Sequence, residues 1–225
     1  AMNSTYDLLR LMPLLQGISF EDFTRILEKC PFDFRKVEAG EVVARQGDTC
    51  QELLYLIKGT FSVTTEREKF TMEEQVSGPL LIEPYSLMGY SGSYVSTYRA
   101  EEASSFFALR KGEVLDHLCD YPIVRMNLLN ILSRRAQVLG EKLLCPVGHT
   151  TEEKIKSWLY RVCNTLEGRK VFYMRMEDLG ALISETRLSI SRTLNGWRIA
   201  GLVQTSRRRL EIPALEELDY RFLKK

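Results

Sequence analysis

Histidine is scarce in this sequence, and cysteine is scattered. The 225 residues include two histidines, His117 and His149, and none between residues 34 and 112. The cysteines form no CxxC motif and no cluster: they are Cys30, Cys50, Cys119, Cys145 and Cys163. A structural zinc or iron–sulfur site, a disulfide framework and a metal-dependent active site are therefore disfavoured. We predict reduced thiols that are mostly buried.

Long apolar runs are also missing. No segment approaches the ~20 apolar residues of a membrane helix. The N-terminus has no basic start followed by an apolar core, so we expect no signal peptide, no membrane contact and a cytoplasmic location. A composition of 44% hydrophobic and 27% charged residues is typical of a folded globular protein.

The net charge of +1 conceals an uneven distribution. Residues 1–145 carry 16 Lys and Arg against 20 Asp and Glu, a balance of −4, whereas residues 146–225 carry 15 against 10, a balance of +5. The last third is thus a modestly basic module attached to an acidic one. The uneven charge distribution could also arise by chance, so it indicates a function only together with a sequence motif.

The pattern changes along the chain. Residues 3–30 have helical spacing, and Ser19 followed by Asp22 resembles a helix start. Between residues 34 and 112, short runs bounded by glycines predict many strands in a sandwich or barrel. Within them, "YLIKGTFSV" with Gly59 predicts a β-hairpin.

A long helix is predicted over residues 122–144, because Pro122 suits a first helical turn. Apolar residues then recur every three or four positions, at Leu129, Leu132, Ala136, Leu139 and Leu143. This heptad stripe predicts either one helix lying on the barrel or a parallel dimer seam, and its narrowness favours the seam. Pro146 and Gly148 then predict a hinge.

Two helices joined by a short turn are predicted near the C-terminus. Gly180 leaves room for the helices to cross, and the inward-facing residues are Leu179, Leu182 and Ile183 in the first helix and Ile190, Leu194 and Trp197 in the second. The opposite face of the second helix is polar, which is the arrangement of a DNA-binding helix-turn-helix. Arginine can bind guanine bidentately, and Ser and Thr near a helix start can reach phosphates.

A basic tip at residues 206–209 suits a wing on the DNA backbone. The predicted DNA-binding residues are Thr186, Arg187, Leu188, Ser189, Ser191, Arg192, Asn195, Arg207 and Arg208. The alternative is an ordinary solvated helix face.

Two segments resemble the Crp/Fnr transcription regulators: "GEVVARQGDTCQELLYLIKGTFSV" and "EDLGALISETRLSISRTLNGWRIAGLV". The resemblance implies an α+β fold: a jelly-roll β-barrel of the cyclic-nucleotide-binding type in residues 1–121, a dimerisation helix in 122–145 and a winged helix-turn-helix in 146–225. It also implies a bacterial homodimer on double-stranded DNA, with recognition helices ~34 Å apart, and RNA polymerase as a partner. Leu188 replaces the family's usual base-reading glutamate, so the family's best-known half-site is not expected.

The resemblance also locates an effector pocket, at Ser86, Leu87, Met88, Gly89, Tyr94, Val95 and Leu139. In the family's cAMP receptors, the matching positions hold Gly-Glu where this chain has Ser86-Leu87, Arg-Ser where it has Tyr94-Val95, and Thr-Ser where it has Leu139-Gly140. A phosphate without its arginine is strongly disfavoured, so we predict no cAMP binding.

Other effectors stay open at this point. Cys30 stands alone near the N-terminus, whereas the family's iron–sulfur sensors have a cysteine cluster there, so no such cluster is expected. Haem or an apolar molecule could be lined by Tyr85, Met88, Tyr90, Tyr94 and Tyr98, and a filled core without an effector is the alternative. A cupin-like enzyme lacks its histidines here, and a dimeric ligand-binding module would leave the arginines unexplained.

Overall fold

The computed structural model describes residues 5–224, and the predicted helical positions 3 and 4 lie outside this range. Two helices come first, α1 (Thr5–Arg10) and α2 (Phe20–Lys29). The predicted start of α2 is confirmed, because the Ser19 hydroxyl accepts a hydrogen bond from the Asp22 backbone N–H at 3.1 Å.

Within the described residues, eight strands follow and confirm the strand-rich prediction. They are β1 (Asp33–Val37), β2 (Val42–Ala44), β3 (Glu52–Lys58), β4 (Thr60–Glu66), β5 (Thr71–Ser77), β6 (Leu80–Ile82), β7 (Thr97–Ala100) and β8 (Ser104–Arg110). One sheet has the order β1-β8-β3-β6, and the other contains β5, β4, β7 and β2 in that order. The arrangement is jelly-roll-like, with two sheets rather than one closed barrel.

Gly59 lies at a corner between the two sheets, so the hairpin prediction for this segment is wrong. β3 pairs with β6 and β8, whereas β4 lies in the other sheet. Gly59 has a φ of 114°, and a Cβ there would come within 2.0 Å of the Ser104 Oγ. Glycine allows the backbone to turn this close to β8, and its signal in a sequence does not separate a hairpin turn from a crossing between sheets.

After β8 the chain forms α3 (Lys111–Asp116) and then α4 (Pro122–Leu143), a continuous helix of 22 residues that begins at Pro122 as predicted. Among the described residues of α4, Val124 alone is fully buried. The apolar stripe is open: Leu129 is 55% exposed, Leu139 47% and Leu143 83%. Over the described range, no helix combines the length and apolarity that a bilayer span requires.

The C-terminal elements are α5 (Thr151–Val162), β9 (Lys170–Tyr173), α6 (Met176–Ile183), α7 (Arg187–Ile199), β10 (Gln204–Ser206) and β11 (Arg209–Ile212). They enclose an apolar core that includes Trp158, Phe172, Ile190, Leu194 and Trp197. Leu179 and Ile183 of α6 are buried as predicted, but Leu182 is 37% exposed, so its inward orientation is wrong. A helix of eight residues buries a narrow stripe, and Leu182 lies at the edge of that stripe.

The chain groups into two compact units. The first contains the described residues up to 62 together with 76–137, and the second contains residues 63–75 together with the described residues from 138 onward. Residues 63–75, the outer part of the β4–β5 hairpin, therefore belong with the C-terminal elements. In the second unit, β5 pairs antiparallel with β9, and the strand order is β10-β11-β9-β5.

Candidate nucleic-acid interface and effector site

The turn between α6 and α7 is short and tightly packed. Ser184 directly follows α6 and has a φ of 55°, in the left-handed region. The Thr186 hydroxyl caps α7 by accepting from the Ser189 N–H at 3.1 Å. A Cβ on Gly180 would lie 2.7 Å from the Glu185 carbonyl oxygen. The room that Gly180 leaves is thus filled by the turn, which lets the two helices cross closely.

Helix α7 has one buried and one exposed face. Ile190, Leu194 and Trp197 are 0%, 2% and 6% exposed, which confirms the predicted core face. The opposite face is open to solvent, and its exposed residues are Arg187, Leu188, Ser191, Arg192 and Asn195. Packing therefore fixes the rotation of α7, and the polar face is available to a partner.

The polar side chains of this face differ in whether they already form salt bridges or hydrogen bonds within the chain. The Arg187 guanidinium lies 3.4 Å from the Glu177 carboxylate, with both side chains largely exposed. Arg198 donates to the Asn195 Oδ1 at 2.7 Å, which orients the Asn195 amide group. Arg192 forms no salt bridge within residues 5–224, so its donors are free for a partner.

Thr186 and Ser189 form the hydrogen bonds that cap the N-terminus of α7. Their hydroxyl groups lie 2.9 Å apart, and the Thr186 hydroxyl also caps α7. Thr186 is exposed and Ser189 is half-buried. Contact of either residue with a phosphate stays a prediction.

The wing is formed by β10 and β11, joined by the two-residue loop Arg207 and Arg208. Arg208 has a φ of 58°, and its carbonyl accepts from the Met174 N–H at 3.1 Å. Arg209 is held by the Glu211 carboxylate at 2.6 Å. Arg207 and Arg208, in contrast, are exposed and form no salt bridge in the described part of the chain.

A groove of about 410 Å³ lies between α7 and the wing. Its lining includes Met176, Ser191, Arg192, Asn195, Arg198 and Thr205. The structure therefore brings together three of the predicted DNA-binding residues, Ser191, Arg192 and Asn195, on one face of α7 beside β10. Guanidinium, amide and hydroxyl donors in one groove suit a partner rich in acceptors, such as phosphates and base edges.

Acidic side chains near this surface are held by basic neighbours. Arg175 contacts Asp178 at 2.8 Å and lowers the pKa of that carboxyl group. Lys154 contacts Glu185 at 2.7 Å and lowers the pKa of Glu185 in the same way. These pairs offset the negative charge of α6 and of the turn.

In the first unit, the segment predicted to form the effector pocket is organised around Glu83, a residue that the sequence reasoning missed. Glu83 is 3% exposed, has a φ of 39° and directly precedes Pro84. Its carboxylate accepts four hydrogen bonds: from the Ser86 hydroxyl at 2.6 Å, the Val95 N–H at 2.8 Å, the Ser96 N–H at 3.0 Å and the Tyr98 hydroxyl at 3.1 Å. Four donors use the full accepting capacity of one carboxylate.

The predicted pocket residues are placed differently from one another. Ser86, Leu87 and Tyr94 are buried, whereas Val95 is 37% exposed and Leu139, on α4, is 47% exposed. Met88 is half-buried and Gly89 is exposed. Tyr90 is fully exposed, so its predicted place in a pocket lining is wrong: the segment after Leu87 turns outward.

A cavity of about 620 Å³ in the first unit includes Tyr94 in its lining. The rest of the lining is mostly polar and carries charges of both signs, among them Arg45, Asp48, Glu52, Lys111 and Glu113. All five cysteines are free, and four are buried, which confirms the prediction of mostly buried thiols. Burial raises the pKa of Cys30 to about 11 and that of Cys163 to about 12.

Two family models match the chain. The cyclic nucleotide-binding domain matches residues 34–120, and the Crp-like helix-turn-helix domain matches residues 153–221. The two ranges contain the jelly-roll strands and the helix pair with its wing, respectively. A search of the curated proteins finds no match.

Solved structures match as well. The catabolite activator protein of Thermus thermophilus is 23% identical with a TM-score of 0.51, and the match covers 92% of this chain and 96% of that one, which shows the fold. The sensor domain of the transcriptional regulator DNR from Pseudomonas aeruginosa is 25% identical over 58% of this chain and 91% of that one, with a TM-score of 0.48. Whole DNR is 19% identical over 96% and 95%, with a TM-score of 0.45.

Proposed function

Because the chain belongs to the Crp/Fnr family of DNA-binding transcription regulators, we propose that it acts as a homodimer that inserts α7 of each protomer into the major groove of a two-fold symmetric site. The observation that carries this proposal is that α7 has one buried face and one exposed polar face. Its core face is buried, and its opposite face presents Ser191, Arg192 and Asn195 in a groove beside the wing.

Base recognition is assigned to the first two turns of α7. Arg192 is free to bind guanine O6 and N7 bidentately, and Arg187 can do so by exchanging Glu177 for a base or a phosphate. Leu188 is 60% exposed and offers an apolar contact to a thymine methyl group. Arg207 and Arg208 of the wing meet the flanking phosphates, which position the protein without reading sequence.

The dimer is assigned to α4. Leu129, Leu139 and Leu143 are each about half exposed or more, so the heptad stripe is not used up by packing within one chain. The same stripe on a second copy would cover it in a parallel coiled coil. This observation favours the seam over a helix that rests on the strands of its own chain.

The effector is proposed not to be a cyclic nucleotide. The Ser86 hydroxyl and the Val95 N–H, at positions matched to the ribose and phosphate contacts of the cAMP receptors, already donate to Glu83, as does the neighbouring Ser96 N–H. A phosphate at this place would meet a carboxylate instead of an arginine, and like charges at close range repel. A neutral or apolar effector, haem among them, or a core without an effector fits this site better.

The remaining parts of the proposal follow from the family. A transcription regulator works where its DNA lies, so we place the protein in the cytoplasm with RNA polymerase as a further partner. An enzymatic role is not proposed, since a cupin-like site would need histidines between residues 34 and 112.

Selection of bound DNA from a random pool tests the proposal. We expect an enriched site with two-fold symmetry and half-sites about one helical turn apart. Leu188→Glu should shift the preference toward a G·C pair at the facing position, because a carboxylate accepts from cytosine N4. Arg221→Gln is the matched control, as Arg221 is exposed and held by Asp219. A pool without enrichment, together with no binding to any duplex, would overturn the proposal.

A further inference from the structure

The β4–β5 hairpin is built into the second unit through backbone pairing. Residues 71–74 of β5 pair with β9, from Thr71 opposite Tyr173 to Glu74 opposite Lys170. β9 in turn pairs with β11, and β11 with β10 of the wing. The hairpin thus adds a fourth strand to the sheet whose far edge is the wing.

Apolar packing anchors the hairpin to the core of this unit. Met72 is 3% exposed and lies in the same apolar core as Ile190 and Trp197 of α7. The Phe70 ring packs against Trp158 with 5.3 Å between ring centroids, and against Phe172 with 6.1 Å. Phe70 ends the loop of the hairpin, so the anchor lies directly beside the tip.

A buried polar network holds the other end of the paired segment. The Glu74 carboxylate lies 2.9 Å from the Lys170 Nζ, with side chains 3% and 1% exposed. Asn164 donates to Glu74 from its N–H at 3.0 Å and from its Nδ2 at 2.6 Å, and Lys170 donates to the Thr165 hydroxyl at 3.0 Å. Such a network is rigid when its groups are satisfied, so the hairpin has one defined position.

The tip of the hairpin lies beside the wing. Arg67, Glu68 and Lys69 are exposed, and the turn is closed by a hydrogen bond from the Arg67 N–H to the Phe70 carbonyl at 2.8 Å. A cavity of about 620 Å³ is lined by these tip residues, by Arg175 and Asp178, and by residues 206–209 of the wing. A second cavity of about 330 Å³ shares Arg175 and the wing arginines and extends to Arg187 at the start of α7.

The charges of this surface are mostly positive. Within residues 5–224, four of its basic side chains form no salt bridge: Arg67, Lys69, Arg207 and Arg208. The acidic residues that line the two cavities are Glu68, Glu177 and Asp178. Asp178 is held by Arg175, with Lys69 close enough to act on its charge, and Glu177 lies 3.4 Å from the Arg187 guanidinium. The two cavities share Arg175, Arg207 and Arg208, so basic side chains recur from the start of α7 through the wing to the hairpin tip.

We infer that the hairpin tip is part of the DNA-binding surface, with Arg67 and Lys69 on the phosphate backbone beside the phosphates that the wing reaches. This inference rests on the proposed function, because it extends the same interface by one strand. Charge complementarity and continuity with the α7–wing surface select DNA as the occupant. Glu68, between the two basic residues, opposes the phosphates and limits their contribution.

The test measures binding to the selected DNA site and to random duplex over a range of salt concentrations. Each lost phosphate contact lowers the slope of log K against log salt by about 0.9, so the double variant Arg67→Gln/Lys69→Gln should lower it by up to about 3.6 for a dimer. The loss should be the same on both DNAs, with the base preference unchanged. Glu68→Gln should strengthen binding to both.

The matched control is Lys36→Gln/Lys58→Gln, which removes two exposed charges from the first unit and should leave the slope unchanged. A double tip variant with the wild-type slope, in a protein whose wing variant Arg208→Gln loses slope, overturns this inference and leaves the proposed function standing. The tip then belongs to an acidic protein partner or to solvent. If neither variant changes binding, or the protein binds no DNA, both fail.

Discussion

Glu74 on β5 and Lys170 on β9 form an ion pair, 2.9 Å between Oε1 and Nζ, in which neither side chain is more than 3% exposed. The pair joins β5, whose first residues belong to the second unit, to β9 in the sheet of the wing. Through this pair, the second unit depends on a residue from the N-terminal half of the sequence.

Removal of one partner of this pair should destabilise the second unit strongly. Glu74→Ala leaves the Lys170 ammonium buried without its counter-charge, and such changes cost about 3–5 kcal/mol. Glu73→Ala is the control on the same strand, because Glu73 faces Arg169 at 3.6 Å with a partly exposed side chain and should cost below about 1 kcal/mol. Urea unfolding gives both values, and equal losses for the two variants would contradict the role assigned to the buried pair.

The dimer seam should be sensitive to charge at its centre. Leu139→Lys places an ammonium group in the proposed α4–α4 interface and should yield monomers, which also lose specific DNA binding. Gln137→Lys introduces the same charge two positions earlier, away from the stripe, and should stay dimeric. Light scattering with size exclusion separates the two results. A dimeric Leu139→Lys protein would show that the seam lies elsewhere.

Arg192 should discriminate between bases. Arg192→Ala removes the bidentate donor, so binding to the selected site should weaken by about 1–3 kcal/mol and the preference at one base pair should relax. Binding to random duplex should change little by comparison. Fluorescence anisotropy on both DNAs gives the difference, with Arg221→Ala as control. If the Arg192→Ala protein keeps both the affinity for the selected site and the base preference, this face of α7 is an ordinary solvent-exposed face and does not read DNA.

Glu83 should keep cyclic nucleotides out. Calorimetry with cAMP and cGMP up to millimolar concentration should show no heat of binding, because the donors around Glu83 are already bound to its carboxylate, which would also repel a phosphate. Glu83→Gln should destabilise the first unit by about 1–3 kcal/mol, since its NH₂ group would face backbone N–H donors without an acceptor. Micromolar affinity of the wild-type protein for either nucleotide would refute this explanation.

The link between α5 and the turn before α7 should depend on pH. The hydrogen bond from Lys154 lowers the pKa of Glu185 below its ordinary value. The stabilisation is therefore fully present above that ordinary pKa and is lost as the pH falls through the lower pKa of the folded state. Glu185→Gln should therefore melt earlier than the wild type at pH 7, and the difference should shrink below about pH 4.3. A difference that is constant from pH 7 to pH 3 would exclude the ion pair as its source.

The sequence predicts α7 well because the information is local. Ile190, Leu194 and Trp197 recur at helical spacing, and that spacing alone selects the buried face and leaves Arg192 outside. Leu182 shows the limit of the same reasoning, since a stripe in a short helix has an edge that periodicity does not locate. The sequence predicts the helix start at Ser19 equally well, because a helix cap involves residues only three positions apart.

Features that depend on distant pairing could not be read in this way. Gly59 looks the same in a hairpin and at a corner, and the difference lies with Ser104, 45 positions further along the chain. Glu83 draws its four donors from residues 86, 95, 96 and 98, and a glutamate in an apolar run gives no sign of them beyond the Pro84 that follows it. The grouping of residues 63–75 with the second unit depends on β9, which no local pattern indicates.

The pairing of β5 with β9 also has a consequence for synthesis. Residues 71–74 pair with residues 170–173, which are synthesised about 100 residues later. At roughly 5–20 residues per second, the edge of β5 stays open on the ribosome for about 5–20 s. An open strand edge invites pairing with another nascent chain, and charged side chains discourage it. The charges of Glu73 and Glu74 therefore oppose such pairing while the edge is open, before Glu74 is buried against Lys170.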